Sequence, residues 1–441
     1  ENVAIAFDEL LEDPSTFRKA IHVLESQSDH IELSRDRFER IFDAIEERTS
    51  DAELQNNNAI AQGQGEQGLF DSKLISQSRD EMTEMYVLLK EQGHLRFFGS
   101  IGKENWLASG SHTVRPTMLE TITSLSMTAL TPKSTNTLLY AGIVVAAVES
   151  IASEYLGWNL NVLFFASFTA ALCDQLLLNG ALAETSAKII DRGMQAKITR
   201  HEAGHFLCSY ILGCPVEGYC LSAFSALQDP RFRGRGVSAG TSFFDPELSK
   251  EMANSKITRS SIDRYSIIVM AGIAAEATSY GQADGGAGDE QALIGFLSNL
   301  NGANNRGSSS SSPSRSAVPA WNDVTIRNQA RWGALQAVLI LREYQDCYEA
   351  LVDALERGGS LGECIYAIEN AGRQNSNNNN NEQQKTGRRR PLGYISEEGD
   401  TEIWTTVVPN NLNQNQNNNI SNPTSTATMN NSSSTGTTND L

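Results

Sequence analysis

The sequence is poor in cysteine and in basic residues, and both shortages exclude classes of protein. Its six cysteines among 441 residues form no CxxC pair and no dense framework. A disulfide-stapled secreted scaffold is therefore not expected, nor is a cysteine-based zinc knuckle. Lysine and arginine together number 35 against 53 aspartates and glutamates, which gives a net charge of -18. Because so acidic a chain repels phosphate backbones, nucleic acid is not an expected partner.

A loop for binding nucleoside triphosphates is also missing. The pattern GxxxxGK[ST] does not occur, and the nearest segment, residues 99–103, lacks both the first glycine and the hydroxyl residue. Such a loop needs its glycines so that backbone amides can surround the phosphates. The sequence therefore predicts no ATPase of this type.

Long apolar runs are missing as well. The two apolar stretches, residues 138–148 and 162–173, are followed directly by Glu149 and Asp174. Both are short, because a helix needs about 20 apolar residues to cross a bilayer. We expect a helical hairpin here, and two interpretations stay open: the close pair inserts into a membrane, or it is buried within the protein.

Composition and hydrophobic periodicity divide the chain into four predicted regions. They are a polar helical N-terminal region without a site (1–135), the apolar hairpin (136–190), a folded domain with a flexible insertion at 301–318 (191–372), and an Asn/Ser/Thr-rich tail (373–441). The tail cannot bury enough apolar surface to offset chain entropy, so it is predicted to be disordered.

One segment carries a specific chemical pattern, His201-Glu202-Ala203-Gly204-His205. Residues four apart on a helix are separated by about 40° of rotation and one turn of rise, so both imidazoles can reach one cation. Glu202 lies at the flank of that cation, where it can take a proton from water and pass it to a leaving amine. The pattern predicts a metal site with a general base.

A catalytic zinc site takes a third protein ligand and keeps one position open for water. No histidine follows His205 in the chain. The third ligand is therefore expected to be a carboxylate or a cysteine, which excludes the extended motif HExxHxxGxxH.

The sequences HEAGH (201–205), GTSFFDPE (240–247) and AGIAAEATSYGQADGGAGDE (271–290) together resemble the peptidase domain of FtsH-type membrane proteases. The resemblance covers about residues 195–300 and continues more weakly from residue 328 to about residue 371. It implies a helical peptidase domain with a small β element and Zn²⁺ as cofactor. It also implies that an aspartate after a Gly-rich turn is the third ligand. That aspartate is Asp289, and because the turn is one residue shorter here, Glu290 is the alternative.

Because the sequence lacks the ATPase loop, it resembles most the shorter plant and algal relatives that keep membrane segments and the peptidase domain without the ATPase. This resemblance implies a location in an organelle membrane, of the plastid in the first place. An AAA-ATPase partner or a homo-oligomer is a further implied possibility.

Two more features are candidate parts of the site. Glu276 could orient a ligating histidine by accepting its second ring proton, or it could be an ordinary surface or capping acid. Residues 236–244, with Gly240, Thr241, Ser242 and Phe243 at their centre, could form an edge strand that binds a substrate peptide through backbone hydrogen bonds. The alternative for this segment is an ordinary hairpin strand.

These patterns predict a mainly α-helical zinc metalloendopeptidase that follows a hydrophobic, membrane-associated hairpin. Its substrates are expected to be unfolded or membrane-associated polypeptides. The alternative is a catalytically idle membrane scaffold or assembly factor that has kept the peptidase fold, but an intact HEAGH argues against it. A third possibility, an interaction protein that uses its acidic helices and its tail, leaves the central motif unexplained.

Overall fold

The computed structural model describes residues 2–27, 31–61, 73–101, 113–132, 137–177, 181–183, 185, 193–232, 239–254, 257–306 and 321–383. Within these ranges the protein is mainly helical and has one two-stranded sheet. This confirms the predicted mainly α class.

The described part of the chain consists of helices, with two strands in its middle. The helices are α1 (Asn2–Leu11), α2 (Phe17–Ser26), α3 (Arg35–Ala61), α4 (Lys73–Glu91), α5 (Pro116–Thr123), α6 (Thr137–Leu156), α7 (Leu160–Leu177), α8 (Gly193–Ile211), α9 (Ala223–Gln228), α10 (Pro246–Ala253), α11 (Arg259–Tyr280), α12 (Ala287–Arg306), α13 (Asp323–Glu343), α14 (Gln345–Glu356) and α15 (Leu361–Gln383). The strands are β1 (Val216–Cys220) and β2 (Gly240–Phe243), and a short 3-10 helix covers Pro14–Thr16.

Helix α8 forms the centre of the fold. It packs against α11, α13, α14 and both strands, and it is buried almost all round from Thr199 to Ile211. Gly204 permits the close approach of α11, because a Cβ atom there would lie 2.6 Å from the carbonyl oxygen of Ala271. A helix enclosed on all sides holds its side chains in fixed positions, which suits it to present a site.

A glycine ends α8, as the Gly213-Cys214-Pro215 sequence predicts. Gly213 has φ of +79°, and the amide of Cys214 donates to the carbonyl oxygen of Ser209 at 2.9 Å. Glycine adopts this left-handed conformation without steric cost, which satisfies the last carbonyls of the helix. The chain then turns directly into β1.

The N-terminal helices pack onto the same structure that holds α8 and the sheet. Helix α3 contacts α15 and β1, and the Tyr86 hydroxyl of α4 donates to the carbonyl oxygen of Val216 at 2.9 Å. Glu369 of α15 accepts hydrogen bonds from the backbone amides of Arg96 and Phe97 and from the Tyr210 hydroxyl at the end of α8. Helix α15 therefore braces the end of α8, while α3 and α4 contact β1.

The two apolar runs lie in α6 and α7, which pack on each other and are joined through Gly157 at φ of +67°. Large apolar side chains are exposed along both helices, including Ile151 and Phe165. Among the helices that the structure describes, none has the length and hydropathy needed to cross a membrane.

Two segments predicted to lack regular structure begin as helix. Residues 301–306 of the predicted insertion belong to α12, and residues 373–383 of the predicted tail belong to α15. Extending an existing helix adds one hydrogen bond for each residue fixed, so a polar sequence can continue a helix that it could not nucleate. Residues 307–318 and 384–441 lie outside the described residues.

Candidate metal centre

His201 and His205 lie on one face of α8, one turn apart. Their Nε2 atoms are 3.1 Å from each other, and their rings are inclined at 67° with centroids 4.8 Å apart. Both side chains are buried. The four-residue spacing therefore brings the two imidazoles to one point, as the helical period requires.

Asp289 completes the group from the first turn of α12. Its Oδ2 atom lies 3.0 Å from Nε2 of His201 and 3.5 Å from Nε2 of His205. The preceding Gly286, at φ of +91°, turns the chain into α12. Among the described residues, His201, His205 and Asp289 form the group of side chains that could hold a metal ion. Of the two candidate third ligands, Asp289 faces the histidines, and Glu290 is not part of the group.

The second nitrogen of each imidazole is hydrogen-bonded away from the centre. Nδ1 of His201 lies 2.7 Å from Oε1 of Glu276, and Nδ1 of His205 lies 2.7 Å from the carbonyl oxygen of Ile268. A carbonyl oxygen and an ionised carboxylate can only accept, so both rings donate from Nδ1. In its neutral form each ring then directs the lone pair of Nε2 towards the carboxylate of Asp289.

Three lone-pair donors pointed at one another repel unless a cation lies between them. A tetrahedral ion with bonds of about 2.0–2.1 Å separates its ligand atoms by about 3.3 Å. The observed separations are 3.0, 3.1 and 3.5 Å. The donor set and its spacing therefore fit a small divalent metal ion with one coordination position left open.

The electrostatics of the centre also favour a cation. Burial opposes a charge on His201, but hydrogen bonds to Asp289 and Glu276 outweigh it and raise the pKa of His201 to about 10. Burial also opposes a charge on His205, but the charge of Asp289, a hydrogen bond to Asp289 and the charge of Glu202 together raise the pKa of His205. Burial would raise the pKa of Asp289, but the two histidines hold it well below its ordinary value. The site thus binds protons strongly when no other cation is present.

Glu276 links the histidine helix to the turn that delivers Asp289. While Oε1 accepts from His201, Oε2 accepts from the backbone amides of Asp284 at 2.7 Å and Gly285 at 3.0 Å. Burial acts to raise its pKa, but the hydrogen bond and charge of His201, together with the two backbone amides, outweigh burial and lower the pKa of Glu276. Glu276 is therefore not an ordinary surface acid, because its carboxylate contacts the ring of His201.

Glycines are required where backbone and ligands meet most closely. A Cβ atom on Gly272 would lie 2.3 Å from Nε2 of His201, and one on Gly285 would lie 2.7 Å from Oε1 of Glu276. Gly272 and Ile268 lie one turn apart on α11, and so do Gly272 and Glu276. One stripe of α11 therefore accommodates both histidines.

Glu202 is buried beside the two histidines on α8. Burial raises its pKa, and the charges of His205 and His201 act in the opposite direction. Its Oε2 atom accepts a hydrogen bond from Oγ1 of Thr241 at 3.0 Å. A buried carboxylate with a raised pKa next to a metal position is suited to accept and to return a proton.

Strand β2 lies beside Glu202 and pairs antiparallel with β1. Tyr219 pairs with Thr241, and Gly218 pairs with Ser242, with an irregularity between Val216 and Gly218. In the described part of the chain the sheet has only these two strands, so the edge of β2 away from β1 carries no further strand. The predicted segment 236–244 contains β2, and residues 236–238 lie outside the described residues.

The four predicted substrate-binding residues do not share one environment. The Thr241 side chain contacts Glu202, and the buried Ser242 hydroxyl donates to Oε2 of Glu217 at 2.6 Å. Gly240 and Phe243 occupy the two ends of β2 and are partly exposed. The side chains of Thr241 and Ser242 are therefore engaged within the protein, and pairing with a peptide would use the backbone of β2.

Sequence reasoning missed three parts of the site. The Ile268 carbonyl gives no side-chain signal, and the contact between Thr241 and Glu202 joins elements 39 positions apart. Gly272 could have been recognised, because it lies four residues before Glu276 and therefore on the same helical face.

Comparisons of the chain with protein-family models, with curated proteins and with solved structures found no match.

Proposed function

We propose that the chain is a zinc-dependent metalloendopeptidase that hydrolyses peptide bonds without an ATPase domain of its own. The observation that carries the proposal is the convergence of His201, His205 and Asp289 beside the buried carboxylate of Glu202. Two imidazoles and one carboxylate are a ligand set that catalytic zinc uses, with its fourth position open.

Each residue of the site has a separate role in the proposed hydrolysis. When bound, zinc supplies Lewis-acid polarisation of the peptide carbonyl and makes water easier to deprotonate. Glu202 accepts one proton from the attacking water as the water oxygen bonds to the carbonyl carbon. Glu202 then returns that proton to the amide nitrogen as the C–N bond breaks, which releases a carboxylic acid and an amine. Glu276 and the Ile268 carbonyl keep the imidazole rings in the orientation that the ion needs.

The position of β2 supports a polypeptide substrate. An extended peptide can add to the open edge of a strand through backbone hydrogen bonds, and β2 lies next to Glu202. Backbone pairing requires an extended chain, so we propose unfolded or membrane-associated polypeptides as substrates.

The remaining parts of the proposal rest on the resemblance to FtsH-type proteases. They are the peptidase fold itself, the plastid membrane as location, and an AAA-ATPase or a second copy of the chain as partner. The exposed apolar side chains of α6 and α7 support association with a membrane.

Two outcomes of metal analysis would favour other functions. The same ligand set of two histidines and one carboxylate also serves ferrous ions in oxygenases, so iron in the purified protein would favour oxygen chemistry. Stoichiometric zinc without hydrolysis would favour the alternative of an idle scaffold or assembly factor.

The test combines metal analysis with hydrolysis of an unfolded protein. Zinc is measured by mass spectrometry in the wild type and in His205→Ala, and cleavage of fluorescent casein is compared between the wild type and Glu202→Gln. We expect about one zinc per wild-type chain, loss of zinc in His205→Ala, and zinc without cleavage in Glu202→Gln. Casein cleavage that persists in Glu202→Gln would contradict the role of Glu202.

A further inference from the structure

The hydroxyl of Thr241 bonds to the acid that the proposed reaction uses as its base. Its Oγ1 atom lies 3.0 Å from Oε2 of Glu202 and 3.2 Å from the backbone carbonyl oxygen of the same residue. A hydroxyl has a single proton, so it donates to one of these oxygens at a time, and the charged carboxylate is the stronger acceptor.

This contact leaves the second carboxylate oxygen for chemistry. Among the described residues, Oε1 of Glu202 has no hydrogen-bond partner. A glutamate side chain has three rotatable bonds, so a carboxylate held at one oxygen has fewer orientations for the other. The hydrogen bond from Thr241 therefore selects the orientation in which Oε1 exchanges protons.

Strand β2 is itself held in place, which makes Thr241 a rigid donor. Successive side chains of a strand point to opposite faces. The next residue, Ser242, donates on the opposite face to Oε2 of Glu217, while Oε1 of Glu217 accepts from Nε of Arg79 at 2.6 Å. Pairing with Tyr219 of β1 fixes the register of Thr241. Two hydroxyl–carboxylate bonds thus hold β2 from both sides.

We propose that Thr241 is a positioning residue that orients Glu202 for proton transfer, rather than a residue that binds substrate through its side chain. This inference rests on the proposed peptidase function, because it assigns Thr241 a task only if Glu202 moves protons. Strand β2 would then have two roles: its backbone would pair with the peptide, and the Thr241 side chain would orient Glu202.

The test uses three variants of the full chain in the casein assay, together with their zinc content. Thr241→Val keeps the shape of the side chain and removes the hydroxyl, and Thr241→Ser keeps the hydroxyl. We expect Thr241→Val to lower kcat about tenfold or more with KM and zinc content nearly unchanged, and Thr241→Ser to restore most of kcat. The matched control is Thr121→Val on α5, whose exposed hydroxyl bonds only to the carbonyl oxygen of Thr117, and its kcat should equal that of the wild type.

Crystal structures of the wild type and Thr241→Val give a readout independent of turnover. The Glu202 carboxylate should leave its wild-type orientation in Thr241→Val and keep it in Thr241→Ser. If the wild type cleaves casein, and Thr241→Val has the same kcat and an unmoved Glu202, this inference would be overturned and the proposed function would stand. Absence of cleavage by the zinc-loaded wild type would overturn both.

Discussion

Glu276 holds His201 through a 2.7 Å contact between Oε1 and the Nδ1 atom of the ring. The same carboxylate binds the turn that precedes α12, from which the third candidate ligand projects. One acid on α11 therefore connects two ligands that lie 88 positions apart in the chain. This arrangement makes the geometry of the centre sensitive to residues that do not touch the ion.

Glu276→Gln should weaken zinc binding without removing any ligand. The amide keeps the size of the side chain but loses the negative charge that orients His201, and losses of about 10- to 100-fold in affinity are typical for such partners. Competition with a chromophoric chelator measures the change. Glu356→Gln, an exposed residue of α14, is the control and should keep wild-type affinity. Equal affinities in the two variants would refute the orienting role of Glu276.

Gly272→Ala should displace a ligand atom directly. The new Cβ would lie 2.3 Å from Nε2 of His201, so either the ring or α11 must shift. We expect more than about tenfold weaker zinc binding and a loss of about 1–3 kcal/mol in the free energy of unfolding. Gly295→Ala on α12 meets no atom within 4 Å and should retain zinc. Normal zinc binding by Gly272→Ala would show that the ring position is wrong.

Asp289→Asn and Glu290→Gln should separate the two candidate third ligands. Asparagine keeps the shape of Asp289 but lacks the charge, so zinc affinity should fall by more than about 100-fold, beyond the loss typical of a residue that only orients a ligand. Glu290 is not part of the group, and Glu290→Gln should bind zinc like the wild type. The opposite pattern, measured by the same chelator competition, would assign the ligand to Glu290.

Zinc affinity should rise with pH. The pKa values of both histidines are raised in the metal-free protein, that of His201 to about 10, so protons occupy the site at neutral pH and zinc must displace them. Between pH 6 and 8 the apparent affinity should increase about tenfold per pH unit for each proton displaced. Calorimetric titrations in buffers of different ionisation enthalpy count the protons released. An affinity that does not change with pH would contradict this competition.

Local periodicity predicted the parts of the site that lie within one helix. His201, Glu202 and His205 follow from the helical repeat, and the end of α8 follows from Gly213. The choice between Asp289 and Glu290 could not be made from spacing, because neighbouring helical residues point about 100° apart and only the turn at Gly286 decides which one faces inward.

Contacts between segments that are distant in the chain could not be predicted from the sequence. Thr241 was predicted to bind substrate, but its side chain reaches Glu202 because the sheet packs against α8. The Ile268 carbonyl belongs to the backbone and has no residue signature. The mainly α fold could be predicted, whereas the contacts that join α4 to β1 and α15 to α8 depend on tertiary packing.

The central claim is that one metal ion joins His201, His205 and Asp289, and anomalous diffraction at the zinc edge tests it most directly. Crystals of the zinc-loaded protein should show a single strong anomalous peak at about 2.0–2.1 Å from both Nε2 atoms and from one oxygen of Asp289. Ordered side chains with no peak between them, or a peak bound only by other residues, would contradict the account.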